Sequence, residues 1–253
     1  MNLKDFISYD KDLPFNGIEI NESKDYPHAQ IKDIEIDNTL GGKIKFYLVI
    51  PKTSGPHPII EFIHWLETEA DNSNRSEFLP SAIELAKDGY LSILPDAFWS
   101  TTPEKFKKNP VPWWKTEYEF DKNLCIKQII ELLRIHDYVL TLKNVDIKRI
   151  GLVGHDFGAM FGSLLLNFVS NFKAFVLMAA TTKFYHWFKF GSKLSDTELN
   201  EYGNRMELFN PINYIEILSP SPILFQFADD DFYIPKEIAK DFFQRASDPK
   251  ELK

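Results

Sequence analysis

Arg149-Ile-Gly-Leu-Val-Gly-His-Asp-Phe-Gly-Ala-Met-Phe-Gly162 is the stretch that decides the fold. Arg149 to Val153 is a short apolar run, as a strand buried on both faces requires. Gly158 to Val169 is apolar at helical spacing. Between them the chain must turn sharply, with Asp156 at the apex. Gly154, Gly158 and Gly162 are small where a strand and the helix doubling back over it approach closely. Strand, tight turn and helix in this order make one unit of a parallel sheet.

The flanking sequence repeats that alternation. Ile31 to Ile36 and Lys43 to Ile50 read as two strands, and Gly41-Gly42 between them makes a hairpin turn. Ile59 to Ile63 is a strand ending at His64-Trp65-Leu66. Phe78 to Lys87 is a helix stopped by Asp88-Gly89, and Tyr90 to Leu94 a strand stopped by Pro95-Asp96. Leu124 to Leu142 has apolar residues at helical spacing. Ala174 to Met178 and Pro222 to Phe227 are strands, and Pro235 to Arg245 is a helix with proline in its first turn. The expected architecture is a single α/β domain over 1–253. Its mostly parallel central sheet carries an N-terminal hairpin and helices on both faces. Residues 1–30 read as polar and irregular. Two aromatic excursions, 97–122 and 181–213, stand over the carboxyl ends of the strands, as a small lid or as cover for the core. Ligand sites in such sheets lie at those carboxyl ends.

The Gly154-His155-Asp156-Phe157-Gly158 turn resembles the nucleophile elbow of the α/β-hydrolase superfamily, with Asp in place of Ser. The segment from Pro222 to Pro235, which contains Asp229-Asp230-Asp231, resembles the superfamily's strand and loop bearing the acid that orients a histidine. By its spacing to Ile234-Pro235 that acid is Asp231. His64-Trp65-Leu66, Asn74 to Leu79, Leu94-Pro95-Asp96, Phe225 to Ala228 and Phe242-Phe243 are similar to the dienelactone hydrolase branch. The resemblance runs from about residue 31 to the end. It implies a hydrolase of small molecules with no organic cofactor and no metal. The branch normally carries Cys or Ser at the elbow, and Asp156 departs from that.

A carboxylate at this turn has a physical logic. A helix N-terminus favours an anion. The Phe157 N–H, with an amide from Trp65 or Leu66, would form the oxyanion hole. Attack by a carboxylate on an ordinary ester gives an anhydride, whereas displacement at saturated carbon gives an alkyl ester that water can hydrolyse. The expected substrates are therefore a small-molecule ester, or a carbon–halogen or epoxide bond. The competing role for Asp156 is to cap the helix that follows. Trp99, Trp113, His186 and Trp187 are candidates for the substrate pocket. Arg75 is either a ligand for a substrate carboxylate or half of a surface ion pair.

Six histidines are present: His28, His57, His64, His136, His155 and His186. The superfamily's catalytic histidine follows the last strand, and here only one helix and Ser247 to Lys253 follow Asp231. The last strand and its histidine are thus expected to be missing. Either the reading is truncated, or the chain is a catalytically dead remnant serving as a binding or scaffold protein. In both cases the strand at Pro222 to Phe227 would be an unpaired edge open to self-association. The chain has 253 residues, a net charge of −8 and one cysteine, Cys125. That charge disfavours nucleic acid and anionic membranes as partners, and a lone cysteine excludes an internal disulfide. The start has no apolar leader, so a cytoplasmic location is expected.

Overall fold

The computed structural model describes residues 2–65, 74–97 and 118–253. Ile18–Glu19 (β1) and Lys24–Asp25 (β2) lie antiparallel on Ala29–Asp37 (β3), which forms the expected hairpin with Lys43–Pro51 (β4) in the register Asp37↔Lys43. His57–Ile63 (β5), Leu79–Leu85 (α1) and Leu91–Pro95 (β6) follow, then the long helix Tyr118–Val139 (α2). Val145–His155 (β7) leads into Phe157–Leu164 (α3), and Phe172–Met178 (β8) into the short helices Tyr185–Phe188 (α4) and Asp196–Met206 (α5). Ile223–Gln226 (β9), Lys236–Arg245 (α6) and Lys250–Leu252 (β10) complete the order. The described strands form one sheet, β1-β3-β4-β6-β5-β7-β8-β9-β10, with β2 also on β3. From β6 through β5 and β7 to β10 every pairing is parallel.

Two-residue alternation along the strands sorts side chains onto the two faces. Ile59, Ile63, Ile93, Ile150, Leu152, Phe175 and Leu177 join α2 and α3 in the larger cluster. Phe62, Leu94, Val153 and Met178 meet α1 in the smaller one. The chain leaves β5 toward β6 on one side, and β7 lies on the other. This makes the carboxyl ends of β5 and β7 the point where the winding direction reverses, the usual crevice in such sheets.

Three expectations need correction. The last strand is present in part: Lys250, Glu251 and Leu252 pair parallel with Ile223, Leu224 and Phe225. β9 is therefore an interior strand, and the unpaired edge proposed for it does not exist. Residues 1–30 are not merely irregular, since they carry β1, β2 and a fully buried Leu3. The long helix takes in Tyr118 to Lys122, so the end of the 97–122 excursion belongs to α2, where Asp121 is fully buried. Residues 98–117 of that excursion lie outside the described residues.

The second excursion covers the core. Phe184, Phe188, Met206 and Phe209 are buried at 0–1% exposure. Lys189 at the end of α4 donates to Asp121 of α2 at 3.1 Å. Tyr202 of α5 donates to the same Asp121 oxygen at 2.6 Å. The Lys189 ammonium also sits 4.2 Å from the centre of the Tyr202 ring. A second buried polar group ties α2 to the sheet: Glu61 of β5 and Asn171 flank the His136 ring at 2.6 and 2.8 Å.

Candidate active site

The elbow is built by close approach. A Cβ on Gly158 would lie 2.0 Å from the Ile63 carbonyl oxygen, and one on Gly154 would lie 2.6 Å from Ala159 N and Cα. Both contacts are with backbone, so only glycine allows α3 to fold back over β5 and β7. Asp156 pays the conformational strain, at φ 54° and ψ −119°. A non-glycine residue there costs about 1–3 kcal/mol. Its N–H donates to the Met178 carbonyl at 2.8 Å, and its own carbonyl accepts from Met160 N–H at 3.0 Å. The side chain is 5% exposed. It makes no capping hydrogen bond to α3, so the helix-cap role weighed from the sequence does not describe it.

The acid loop follows β9. One oxygen of Asp231 accepts from the N–H groups of Tyr233 at 2.7 Å and Ile234 at 3.0 Å. Asp229 and Asp230 are exposed. An aromatic bridge joins this loop to the elbow. The Phe157 ring lies 6.2 Å from Trp187, and Trp187 lies 5.7 Å from Tyr233. Phe190 closes the group at 5.3 Å from Tyr233, and Phe232 stands 83% exposed at its rim. Trp187 thus lies between Phe157 at the start of α3 and the loop after β9. Its buried indole N–H has no hydrogen-bond acceptor among the described residues.

The register Ile63↔Gly154 carries the chain after β5 alongside the elbow. Phe157 stands at the first position of α3, where an amide points out of the helix start. The Trp65 N–H, a candidate second donor, is directed at Glu77, 2.9 Å away. That leaves Leu66 as the candidate, and Leu66 lies outside the described residues, as do Trp99 and Trp113.

Glu77 is the residue that sequence reasoning passed over. Its other oxygen is 2.6 Å from His155 Nδ1, and the Trp65 and His155 rings lie tilted to each other with centroids 6.0 Å apart. The His155 pKa is set by opposing effects. Burial lowers it, but the hydrogen bond and charge of Glu77, with the charges of Asp156 and Asp231, outweigh burial and raise it overall.

The other histidines are committed elsewhere. His64 is buried, bonds the Trp65 carbonyl at 2.9 Å, and is pushed down to about 4 chiefly by burial. His186 pairs with the Thr181 hydroxyl and is lowered to about 4 by burial and the nearby Lys183. Its described contacts do not bring it to Asp156. His57 holds the Gly89 carbonyl at 3.0 Å, and His28 is exposed. Arg75 is neither a free substrate ligand nor a surface pair. It sits 11% exposed over the Tyr47 ring, gripping Asp33 at 2.9 Å and Asp96 at 3.3 Å. Among the described residues no group of three or more His, Cys, Asp or Glu is placed to hold a metal ion, and no helix is long and apolar enough to cross a membrane.

No protein-family model matches the chain, and no curated protein matches it significantly. Solved structures do. Acetyl xylan esterase 1 from Thermoanaerobacterium sp. JW/SL YS485 superposes with a TM-score of 0.72 at 13% identity, covering 99% of this chain and 84% of that one. The acetyl xylan esterase from Paenibacillus sp. R4 gives 0.73 at 16% identity, covering 99% and 90%. An alpha/beta hydrolase from Penicillium sp. sh18 gives 0.59 at 13% identity, covering 88% of each chain. The chain has the α/β-hydrolase fold.

Proposed function

We propose that the chain is a hydrolase of small molecules in which the Asp156 carboxylate attacks a saturated carbon bearing a halogen or an epoxide oxygen. One observation carries the reading: a buried carboxylate, at φ 54°, heads a helix that it does not cap. In this fold that position is the elbow, and the α3 dipole favours the anion there. Attack forms an alkyl ester of Asp156 and releases halide or alkoxide. Water then cleaves the ester. Asp231, with one oxygen held by two backbone donors, would stand for the acid of the dienelactone hydrolase-like proteins that the sequence resembles, its charge favouring a protonated base. The Phe157–Trp187–Tyr233 bridge suits an apolar or aryl substituent. The cytoplasm is the compartment we assign.

Single turnover of styrene oxide in ¹⁸O-water tests the reading. Label entering the Asp156 carboxylate is expected, and Asp156→Asn should abolish turnover. Product formation with Asp156 unlabelled rejects it.

Two other readings each have an observation behind them. The esterases among the structural neighbours favour ester hydrolysis, and turnover of 4-nitrophenyl acetate without label in Asp156 would support that. A non-catalytic, ligand-binding derivative is favoured because, among the described residues, Asp231 accepts from backbone N–H groups and no histidine hydrogen-bonds it. That reading requires wild type and Asp156→Asn to be equally inert.

A further inference from the structure

We propose that His155, oriented by Glu77, is the group that takes the proton from the hydrolytic water at this site. The proposal rests on the Asp156 reading above and assigns its missing base.

The geometry has three parts. First, Glu77 fixes the ring: its Oε1 lies 2.6 Å from His155 Nδ1, while its Oε2 accepts from the Trp65 N–H at 2.9 Å. One carboxylate therefore holds both the imidazole and the backbone of the strand end facing the elbow. A histidine whose Nδ1 donates to a carboxylate presents Nε2 as its acceptor. Second, among the described residues Nε2 has no hydrogen-bond partner, and the His155 side chain is 29% exposed. Every other histidine of the core has a ring nitrogen engaged in a buried contact or sits near pKa 4. Third, His155 is adjacent to Asp156 in the chain, with Cα atoms ~3.8 Å apart. Asp156 at the elbow, Glu77 before α1 and Asp231 in the acid loop are the charged groups whose fields reach its ring. All three stabilise the imidazolium that proton uptake creates.

The step balances as follows. The water oxygen bonds to the carbonyl carbon of the Asp156 alkyl ester while one of its protons passes to His155 Nε2. The tetrahedral intermediate then breaks its bond to the alkoxide, which leaves as the alcohol with the proton from Nε2. Asp156 is left as the carboxylic acid and loses its proton to solvent. Glu77 touches no reacting atom and is a positioning residue.

The test uses styrene oxide with wild type, His155→Gln and Glu77→Gln, with thermal melts to verify that each variant is folded. Intact mass and peptide mapping follow the ester on Asp156. The expected result is that both variants form the ester but clear it at least tenfold more slowly than wild type, so the adduct accumulates. The pH profile adds a readout that a merely structural role would not move. Ester hydrolysis should rise with pH as His155 loses its proton. Glu77→Gln, by removing the carboxylate that raises the His155 pKa, should shift that rise to lower pH. An ester that forms and clears at the wild-type rate in His155→Gln overturns the dyad and leaves the Asp156 reading standing. If no ester forms on Asp156 in any of the three proteins, the nucleophile reading falls and the dyad with it. A variant that fails to melt cooperatively is replaced by His155→Asn, judged by the same rates.

Discussion

Gly158 and Gly162 look alike in the sequence, one turn apart on the same helix, yet they face different obstacles. A methyl at 158 would meet the Ile63 carbonyl oxygen at 2.0 Å and its carbon at 2.5 Å. Backbone in the middle of a sheet has nowhere to go. A methyl at 162 meets the Leu152 Cδ2 at 2.6 Å, the tip of a side chain that can rotate. Gly158→Ala should therefore cost at least ~3 kcal/mol or prevent folding, comparable to the worst overpacking of a core. Gly162→Ala should cost about 1 kcal/mol or less, because alanine's better helix propensity offsets part of the strain. Urea denaturation of the two variants checks the difference; equal losses would mean that α3 is not pinned against β5 as described. The same reasoning explains why Asp156 tolerates a backbone conformation that side chains avoid. Its N–H and C=O are held from both sides by Met178 and Met160, so relaxing φ would break two hydrogen bonds.

Between elements, the decisive contacts are polar and buried, and these were the least legible in the sequence. Lys189 and Asp121 are buried at 5% and 0% exposure and join α4 to α2, with Tyr202 of α5 as a third member. Removing the lysine alone takes its cationic partner from a buried carboxylate, at a cost of about 3–5 kcal/mol. Lys189→Met should show that loss in denaturant melts. Lys189→Met combined with Asp121→Leu should recover part of it, since the buried carboxylate that lost its cation is gone. A double variant no more stable than the single one would assign the effect to lost packing instead. Strands and helices were readable because periodicity is local: β3, β4, β7, α3 and α6 fall within a few residues of where apolar spacing puts them. Glycine spacing likewise located the tight turn between β7 and α3, and the proline and aspartate run after Phe227 located the loop that follows β9. Glu77, by contrast, meets His155 across 78 residues of sequence, and the resemblance of Asn74 to Leu79 says nothing of that partner. Arg75 was misjudged for the same reason: the two carboxylates that bury it come from β3 and the end of β6. Long-range charge pairing leaves no periodic trace.

At the scale of the whole sheet, the parallel half ends in a strand of three residues, and its anchoring is unusual. β10 pairs with β9 through Lys250↔Ile223 to Leu252↔Phe225, and two further bonds join Lys253 to the backbone of Phe225 and Phe227. The Lys250 ammonium turns back to the end of α6, donating to the carbonyls of Phe243 at 2.9 Å, Gln244 at 3.2 Å and Ala246 at 2.5 Å. A cation there satisfies helix carbonyls that have no intrahelical donor and opposes the negative end of the dipole. The short strand thus fixes α6 as well as covering β9. Deleting residues 250–253 should therefore do two things. It removes ladder bonds worth about 0.5–1.5 kcal/mol each together with the helix cap, so the melting temperature should fall by several degrees. It also exposes the backbone edge of β9, beside the loop that carries Asp231, as a template for pairing with a second copy. Size-exclusion chromatography across a concentration series should then show more association than the full chain does. A monomer with an unchanged melting temperature would mean that β10 contributes nothing to the sheet. If the deletion associates, charge on the new edge should reverse it. Leu224→Lys, at a half-buried position of β9, should return the shortened chain to monomer without restoring the melting temperature, because it blocks pairing but supplies neither the ladder bonds nor the cap on α6.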